Sequence, residues 1–400
     1  MIDYRPKGVH EIVSRYLSIK TFLMVLTTIF YNTLRFSYKA VRVFCARDDQ
    51  PILKIIVFGF GGIGNHLMLI PSLQYLKKAN PKREIHLFAA SSACAEILQG
   101  NPCLTSITVY KESHLKSLSG IRLLGQSLAS MKPDAVLLAS GLKPETGSLV
   151  SFLSHALNRV GEDWRGRGFL YTKSTDVDSR IAEFERNLRI AKLLEEAPIA
   201  VNSDPRLFLR EDEIQAARDW LGINGCAGAD CLLGIHPGSG AGQEWKRWGI
   251  DRFIQVAEML SRLKVQILFI IGPEEADLTS RLERVRGKTF LIFCNRDSIR
   301  KTAAMIQCCN YFISNDSGLH QIALALDIPS LGIFGPTSIE KNSPGGDRHI
   351  AYCDETVKCR PCHYTHWFLA CGPSHPCLDR ISPEQIIQVV MQDLQKGHFQ

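Results

Sequence analysis

The sequence predicts an α/β protein with two doubly wound, Rossmann-like domains that face each other across a cleft, preceded by a helical extension. After residue 50, short apolar runs alternate with helical patterns, which is typical of a parallel sheet with crossover helices. This alternation occurs in two successive series, and 400 residues are enough for two separate cores. A glycine-rich turn follows the first apolar run, where sheets of this type bind their ligands.

The predicted boundaries divide the chain into an extension (1–50), a first domain (51–205) and a second domain (206–400). Pro71 is expected to kink the first long helix or to end its first turn. We expect the last helix, near residues 383–394, to cross back to the first domain. The predicted strands are LKIIVFGF, EIHLFAAS, SITVY and DAVLLAS in the first domain, and CLLGI, VQILFIIG, TFLIFC, YFISN and SLGIFG in the second.

The composition argues against two classes of protein. The formal charge of +7 is modest for this length, and bases and acids are mixed over most of the chain, so no nucleic-acid groove is predicted. Thirteen cysteines are an odd number, several of them lie in apolar runs, and no cleavable signal peptide precedes them. We therefore expect reduced thiols and a cytoplasmic protein.

The N-terminal extension is basic and partly apolar. Residues 12–47 contain six bases and no acid, and the uncharged middle, residues 21–34, is shorter than the roughly 20 residues of a spanning helix. Helical winding places six polar or basic side chains on one side, which favours an amphipathic helix in a membrane interface. These are Thr21, Thr28, Asn32, Arg35, Lys39 and Arg42. A helix packed on the protein's own surface and a short membrane span remain alternatives.

The first glycine-rich turn reads FGFGGIGNH. Gly59, Gly61 and Gly64 fit the dinucleotide pattern G-x-G-x-x-G, but the second strand ends in AASS without the acid that holds a ribose. A nicotinamide or flavin site is therefore not predicted. The glycines still indicate a tight turn that lets backbone amides approach a ligand, with Asn65 and His66 facing the cleft.

The second domain carries two further polar turns. The first of these turns follows the domain's first strand and reads HPGSGAGQEWKRW, in which Lys246 lies between two tryptophans. In SNDSGLHQ, Asp316 or Ser317 can cap a helix whose first amides, beginning at Gly318, suit a phosphate. His320 is expected one turn further, on the ligand side. The alternative is that Asp316 is only a helix cap and His320 only a packed side chain.

Together these motifs resemble glycosyltransferase family 9, the ADP-heptose:lipopolysaccharide heptosyltransferases, over residues 54–390. The resemblance lies in the GGIG turn, in HPGS with the later KRW, in IGPEE, in SNDSGLHQIALALDIPSLGIFGPT and in CLDRISPEQI. It implies the GT-B architecture, with the acceptor bound mainly by the first domain and the nucleotide sugar by the second. It also implies inverting, metal-independent transfer to a lipopolysaccharide-type or lipid-linked acceptor at the cytoplasmic membrane face, without a cofactor.

The resemblance assigns roles to individual residues. Ser239 and Lys246 match phosphate-contacting positions, and Glu275 resembles the acid that holds the nucleoside ribose. The donor-site residues implied are Ser239, Lys246, Glu275, Asp316, Ser317, Gly318 and His320, and the acceptor-side loop comprises Gly61, Gly62 and Gly64.

Asn65 departs from the family pattern, which has an aspartate there that is thought to deprotonate the acceptor hydroxyl. An amide cannot accept that proton. Three alternatives remain: Asn65 only orients the hydroxyl and another group such as His66 is the base, the acceptor chemistry differs, or activity has been lost. A nucleotide-sugar 2-epimerase of the same architecture and an inactive sugar-nucleotide-binding module are the rival functions.

The C-terminal tail contains Cys359, Cys362, Cys371 and Cys377, with three histidines among them. A C-x-x-C pair followed by two thiols could close a zinc site, but the later spacings are looser than in common zinc ribbons. Buried or partly exposed reduced thiols are the alternative, and we expect no metal in the catalytic site.

Overall fold

The computed structural model describes residues 51–396, together with Phe30 and Thr33, and leaves out residues 179, 196, 201–205, 227–230, 264, 274, 286–289, 344–345, 366 and 373. The predicted interfacial helix of residues 12–47 therefore lies almost wholly outside the described residues, and the boundary at 205 falls among residues left out. In the described part of the chain, no helix has both the length and the apolar character needed to cross a membrane. The two boundaries between the predicted regions remain predictions.

The first domain is built on a six-stranded parallel sheet of order β3-β2-β1-β4-β5-β6. The first four strands match the apolar runs predicted from the sequence. The strands are β1 (Lys54–Phe58), β2 (Glu84–Ala89), β3 (Ser106–Val109), β4 (Ala135–Leu138), β5 (Asn158–Asp163) and β6 (Lys173–Asp176).

Helices connect these strands on both faces of the sheet. Pro71 lies in the first turn of α2, just after the short α1. The helical path is therefore interrupted there, as predicted. The helices are α1 (Ile63–Leu67), α2 (Ile70–Ala79), α3 (Ser92–Ile97), α4 (Leu118–Ser130), α5 (Pro144–Leu153) and α6 (Glu183–Lys192).

The second domain repeats this arrangement with a parallel sheet of order β12-β11-β10-β7-β8-β9. Counted from its own first strand, β7, the order is the same as in the first domain. The strands are β7 (Leu232–His236), β8 (Gln266–Ile271), β9 (Phe290–Cys294), β10 (Tyr311–Asn315), β11 (Ser330–Ile333) and β12 (His349–Tyr352).

The helices of the second domain include one that differs from expectation. The last helix, α14, buries Ile386 and Val390 in the core formed by β7, β8 and α8. Its buried face thus packs within the second domain, and the prediction that this helix crosses back to the first domain is wrong for that face. The helices are α7 (Glu211–Leu221), α8 (Ile250–Leu260), α9 (Ala276–Arg284), α10 (Ile299–Gln307), α11 (Gly318–Ala325), α12 (Ile339–Asn342), α13 (Pro376–Asp379) and α14 (Pro383–Gln395).

The two domains meet through α1 and α11. Gly64 faces Gln321 so closely that a Cβ at position 64 would lie 2.9 Å from the Gln321 Cγ. Beside this contact, the Arg300 guanidinium donates to the Gln99 carbonyl oxygen at 2.9 Å, and the Ser298 hydroxyl bonds the Glu96 carboxylate. The carboxyl ends of β1 and β7 therefore open into one cleft.

Candidate active site

The cleft contains two connected chambers of about 370 and 360 Å³. Each domain contributes the turn after its first strand, where the strand order of a doubly wound sheet reverses and ligands bind. The first chamber is lined chiefly by Ser239, Glu275, Asn295, Ser298 and Thr302. The second chamber is lined chiefly by Asn65, Glu183, Lys246, Asp316, Lys341 and His363. Ile63, Ala93, Gly240, Ser317 and Gly318 line both chambers.

The N-terminus of α11 lies at the junction of the chambers. The Ser317 hydroxyl caps this helix by accepting a hydrogen bond from the His320 amide at 3.3 Å. The amides of Gly318 and Leu319, in the first turn, have no partner within the helix. Together with the helix dipole they make the junction favourable for an anion.

Lys246 extends into the second chamber from the segment after β7. Its Nζ lies 3.2 Å from Oδ2 of Asp316, and both side chains are largely buried. Burial opposes ionisation of Asp316, but Lys246 and hydrogen bonds from neighbouring groups, including Asn342, lower the pKa of this carboxyl below its ordinary value. Lys246 and Ser317 thus line the same chamber, which the predicted phosphate contact requires.

Glu275 lies in the first chamber and is almost completely buried. Its Oε2 accepts a hydrogen bond from the Gly272 amide at 2.7 Å. A Cβ at position 238 would lie 1.7 Å from the Glu275 Oε1, so a larger residue there would displace this carboxylate. Ser239 is also buried, and its hydroxyl accepts from the Arg247 guanidinium at 3.2 Å. Arg247 was not assigned a role from the sequence.

The sequence predicts that His66 faces the cleft, but in the structure it does not. Its side chain is fully buried beneath the glycine turn. Nδ1 bonds the Gly62 carbonyl oxygen at 2.9 Å, and Nε2 accepts from the Ala90 amide at 3.3 Å. Desolvation outweighs the bond to Gly62 and lowers the pKa of His66 to about 4. Both ring nitrogens are therefore used to hold the turn, and neither is free to take a proton from a substrate.

His320 also lies away from the ligand side predicted for it. Its ring is fully buried beside Gly332 and makes an edge contact with Phe334, with 5.9 Å between ring centroids. Within the part of the chain that the structure describes, neither ring nitrogen has a hydrogen-bond partner. Burial lowers the pKa of His320 to about 4, although nearby Asp316 opposes this. The ring is a packed, neutral part of the second domain, and the backbone amide of His320 serves the helix cap.

Asn65 lies at the wall of the second chamber, as the sequence predicts. It also has a hydrogen-bond partner that the sequence does not predict. Its Oδ1 accepts from the Gly62 amide at 3.1 Å, and its Nδ2 donates to Oε1 of Glu183 at 2.5 Å. Glu183 begins α6 and is 6% exposed. The sequence gives no signal for this carboxylate, because it lies 118 residues from Asn65 in a helix with many charges.

The cysteine tail is only partly buried. Cys362 and Cys377 are buried, whereas Cys359 and Cys371 are exposed. Over the described residues, no three histidine, cysteine, aspartate or glutamate side chains are grouped so that they could hold a metal ion. The metal-site alternative is therefore not supported by the geometry of the described tail.

The chain is similar to known proteins of one family. The model of glycosyltransferase family 9 (heptosyltransferase) matches residues 121–367. Lipooligosaccharide heptosyltransferase 2 of Campylobacter jejuni is 28% identical over 162 residues, which are 40% of this chain and 50% of that protein, so the chain spans about half the length of this relative. The Haemophilus influenzae protein of the same name is 21% identical over 316 residues, 74% of this chain and 87% of that protein.

Solved structures share the fold. The structure of Escherichia coli ADP-heptose lps heptosyltransferase II superposes with a TM-score of 0.68 at 18% sequence identity, covering 86% of this chain and 99% of that chain. The fold and site define a two-domain α/β protein of the GT-B class with a cleft suited to an anionic ligand. Because the family model matches more than half of its residues, the chain belongs to glycosyltransferase family 9. The resemblance and the fold class predicted from the sequence are confirmed.

Proposed function

We propose that this protein transfers a heptose or related sugar from a nucleoside diphosphate sugar to a lipopolysaccharide-core or lipid-linked acceptor, with inversion at the anomeric carbon. Family membership and the heptosyltransferase names of its relatives support this proposal. One observation carries it: Lys246 of the second chamber lies beside Asp316, directly before the first turn of α11, and this turn lies at the junction of the two chambers.

The proposed donor position follows from the charges in the cleft. The nucleoside would occupy the first chamber, with its ribose on Glu275, and the sugar would occupy the second. The diphosphate would then bridge the junction, between Ser239, Lys246 and the amides that begin at Gly318. When the bond between C1 and the phosphate oxygen breaks, negative charge develops on this leaving group, and these fixed cations and dipoles stabilise it. In the proposed reaction these groups act in place of a metal ion.

The proposed acceptor enters from the first domain, on the side of Gly61, Gly62 and Gly64. A lipid-anchored acceptor is confined to a surface, so we also propose that the enzyme works at the cytoplasmic membrane face. The basic composition of residues 12–47 supports attachment there, because cations near anionic head groups and an apolar side add to membrane affinity.

Incubation with ADP-heptose and a heptose-deficient lipopolysaccharide acceptor tests the function. We expect release of ADP together with an acceptor heavier by one heptose, read by mass spectrometry. We also expect donor binding to raise the stability by about 2.7 kcal/mol when the ligand is at 100 times its Kd. Donor alone is the control: conversion of the donor sugar without acceptor would show an epimerase, and donor binding without either reaction would show an inactive binding module.

Gly238→Ala is expected to weaken donor binding about 10- to 100-fold, because the added methyl group would displace the Glu275 carboxylate and the loss of one charge-assisted hydrogen bond costs about 1.5–3 kcal/mol. Titration calorimetry with ADP measures this. Gly222→Ala is the matched control, since a Cβ there meets no atom within 4 Å. Equal affinity of Gly238→Ala and wild type would contradict the role of Glu275.

A further inference from the structure

The proposed reaction needs a group that removes a proton from the acceptor hydroxyl. The side chain at position 65 is an amide and cannot do so. His66 is held beneath the turn by two backbone hydrogen bonds. The base must therefore be sought among the other side chains of the second chamber.

Two carboxylates line the second chamber within the described residues, Glu183 and Asp316. Asp316 belongs to the second domain, and Lys246 neutralises it at 3.2 Å. Glu183 belongs to the first domain, on the side proposed for the acceptor. His363 also lines the chamber, but its ring packs against Trp245 and burial lowers its pKa to about 4, which makes it a weak base.

We propose that Glu183 is the catalytic base and that Asn65 is the positioning residue that holds it; this inference rests on the proposed glycosyl transfer. The acceptor O–H proton moves to the Glu183 carboxylate as the acceptor oxygen bonds to C1 of the sugar. The bond between C1 and the phosphate oxygen breaks, and its electron pair leaves with the nucleoside diphosphate. Glu183 then returns the proton to solvent.

The surroundings of Glu183 suit a base. Its side chain is 6% exposed, and burial raises the pKa of the carboxyl above its ordinary value. The Asn65 hydrogen bond and the charges of Lys341 and Arg186 oppose this rise, whereas the charge of Glu162 adds to it. A carboxylate with a raised pKa accepts a proton more strongly than an ordinary carboxylate.

Asparagine at position 65 satisfies two neighbouring groups at once. The Gly62 amide needs an acceptor, and the Glu183 carboxylate needs a donor. An asparagine supplies both, because its amide has a carbonyl oxygen and an NH₂ group. An ionised aspartate would accept from Gly62 but would place a second negative charge 2.5 Å from the first. The carboxylate that the family pattern places at position 65 is thus supplied here by Glu183.

Glu183→Gln is the direct test, because it keeps the shape and the hydrogen bond to Asn65 but removes the base. We expect kcat for transfer to fall at least about 10²-fold, with an unchanged Kd for ADP. Glu185→Gln is the matched control, since this residue lies on the same helix and pairs with Arg189 at the surface. Retention of more than a tenth of wild-type kcat by Glu183→Gln would overturn the proposal.

Two readouts separate a base from a merely structural carboxylate. The wild-type rate should fall as pH decreases through the raised pKa of Glu183, and this acidic limb should be absent from Glu183→Gln. A carboxyl whose pKa is raised by folding contributes stability at low pH that is lost as pH rises through that pKa. Glu183→Gln should therefore be at least as stable as wild type at pH 8, whereas a structural role predicts a clear loss of stability.

The double variant Asn65→Asp, Glu183→Gln exchanges the two groups. The new carboxylate can accept from the Gly62 amide and from the glutamine at position 183. A carboxylate base is thus restored at position 65 in place of position 183. We expect at least tenfold recovery of kcat over Glu183→Gln, and no recovery would contradict the proposal. If the wild type transfers no heptose, the proposed function fails; if it does while Glu183→Gln keeps its rate, only the assignment of the base fails.

Discussion

Replacing Lys246 by alanine is expected to lower kcat about 10²- to 10³-fold, with a smaller effect on donor affinity. The leaving diphosphate gains negative charge as the bond to the sugar breaks, so a cation fixed beside it stabilises the transition state more than the ground state. The structure holds Lys246 at this point through its 3.2 Å contact with Asp316 and its position above the Trp245 ring.

The measurement is steady-state transfer from ADP-heptose, together with the Kd for ADP. Lys301→Ala is the matched control, because this exposed lysine of the same domain forms a surface ion pair with Asp297. Asp316 loses its cation in Lys246→Ala, so the pair Lys246→Ala and Asp316→Asn should be measured as a double-mutant cycle. A fall in kcat of less than tenfold for Lys246→Ala would contradict leaving-group stabilisation by this residue.

Replacing Arg186 by leucine is expected to destabilise the first domain by about 3–5 kcal/mol. Its guanidinium bonds both oxygens of Glu162, at 2.6 and 2.5 Å, and both side chains are almost completely buried. Removing one partner leaves the other charge buried without compensation, which costs much more than the net contribution of the intact pair. The pair also joins α6 to β5, so its loss should disturb the position of Glu183.

Native-state hydrogen exchange read by mass spectrometry follows this change in the peptides of β4, β5 and α6. Arg189→Leu is the control, since its ion pair with Glu185 is about half exposed, with side-chain exposures of 47% and 44%, and such pairs contribute little. Removing both charges, as Arg186→Leu with Glu162→Leu, should recover part of the lost stability. Equal protection of these peptides in Arg186→Leu and wild type would show that the buried pair is not needed.

Apolar strands were predictable from the sequence, and polar edge strands were not. Strands such as β1 and β8 are buried on both faces and therefore appear as continuous apolar runs. One edge of the first sheet is formed by β5 and β6, and one edge of the second sheet by β12. The sequences of these strands, NRVGED, KSTD and HIAY, contain no continuous apolar run. Pairing with a neighbouring strand, which depends on distant residues, decides that these segments are strands.

The donor side of the candidate site was more accessible to sequence analysis than the acceptor side. Lys246, Ser317 and Gly318 belong to short motifs that follow β7 and β10, and local geometry is enough to direct them into the cleft. His66 and His320 stand in the same motifs, but their rings turn into the core. A shift of one or two residues along a helix changes whether a side chain faces the cleft or the core. Tertiary packing determines which of the two directions is adopted.

The order of apolar runs and glycine turns determined the two-domain architecture, because burial of parallel strands and the crossover rule leave few alternatives. The same local patterns placed Asn65 and Lys246 in the segments that follow β1 and β7. The pairing of Asn65 with Glu183 was decided only by the tertiary structure, since a hydrogen bond across 118 residues depends on where α6 packs against the first sheet. Short-range sequence patterns specify elements and turns, whereas the contacts that set charge and hydrogen bonding in a cleft arise when distant elements come together.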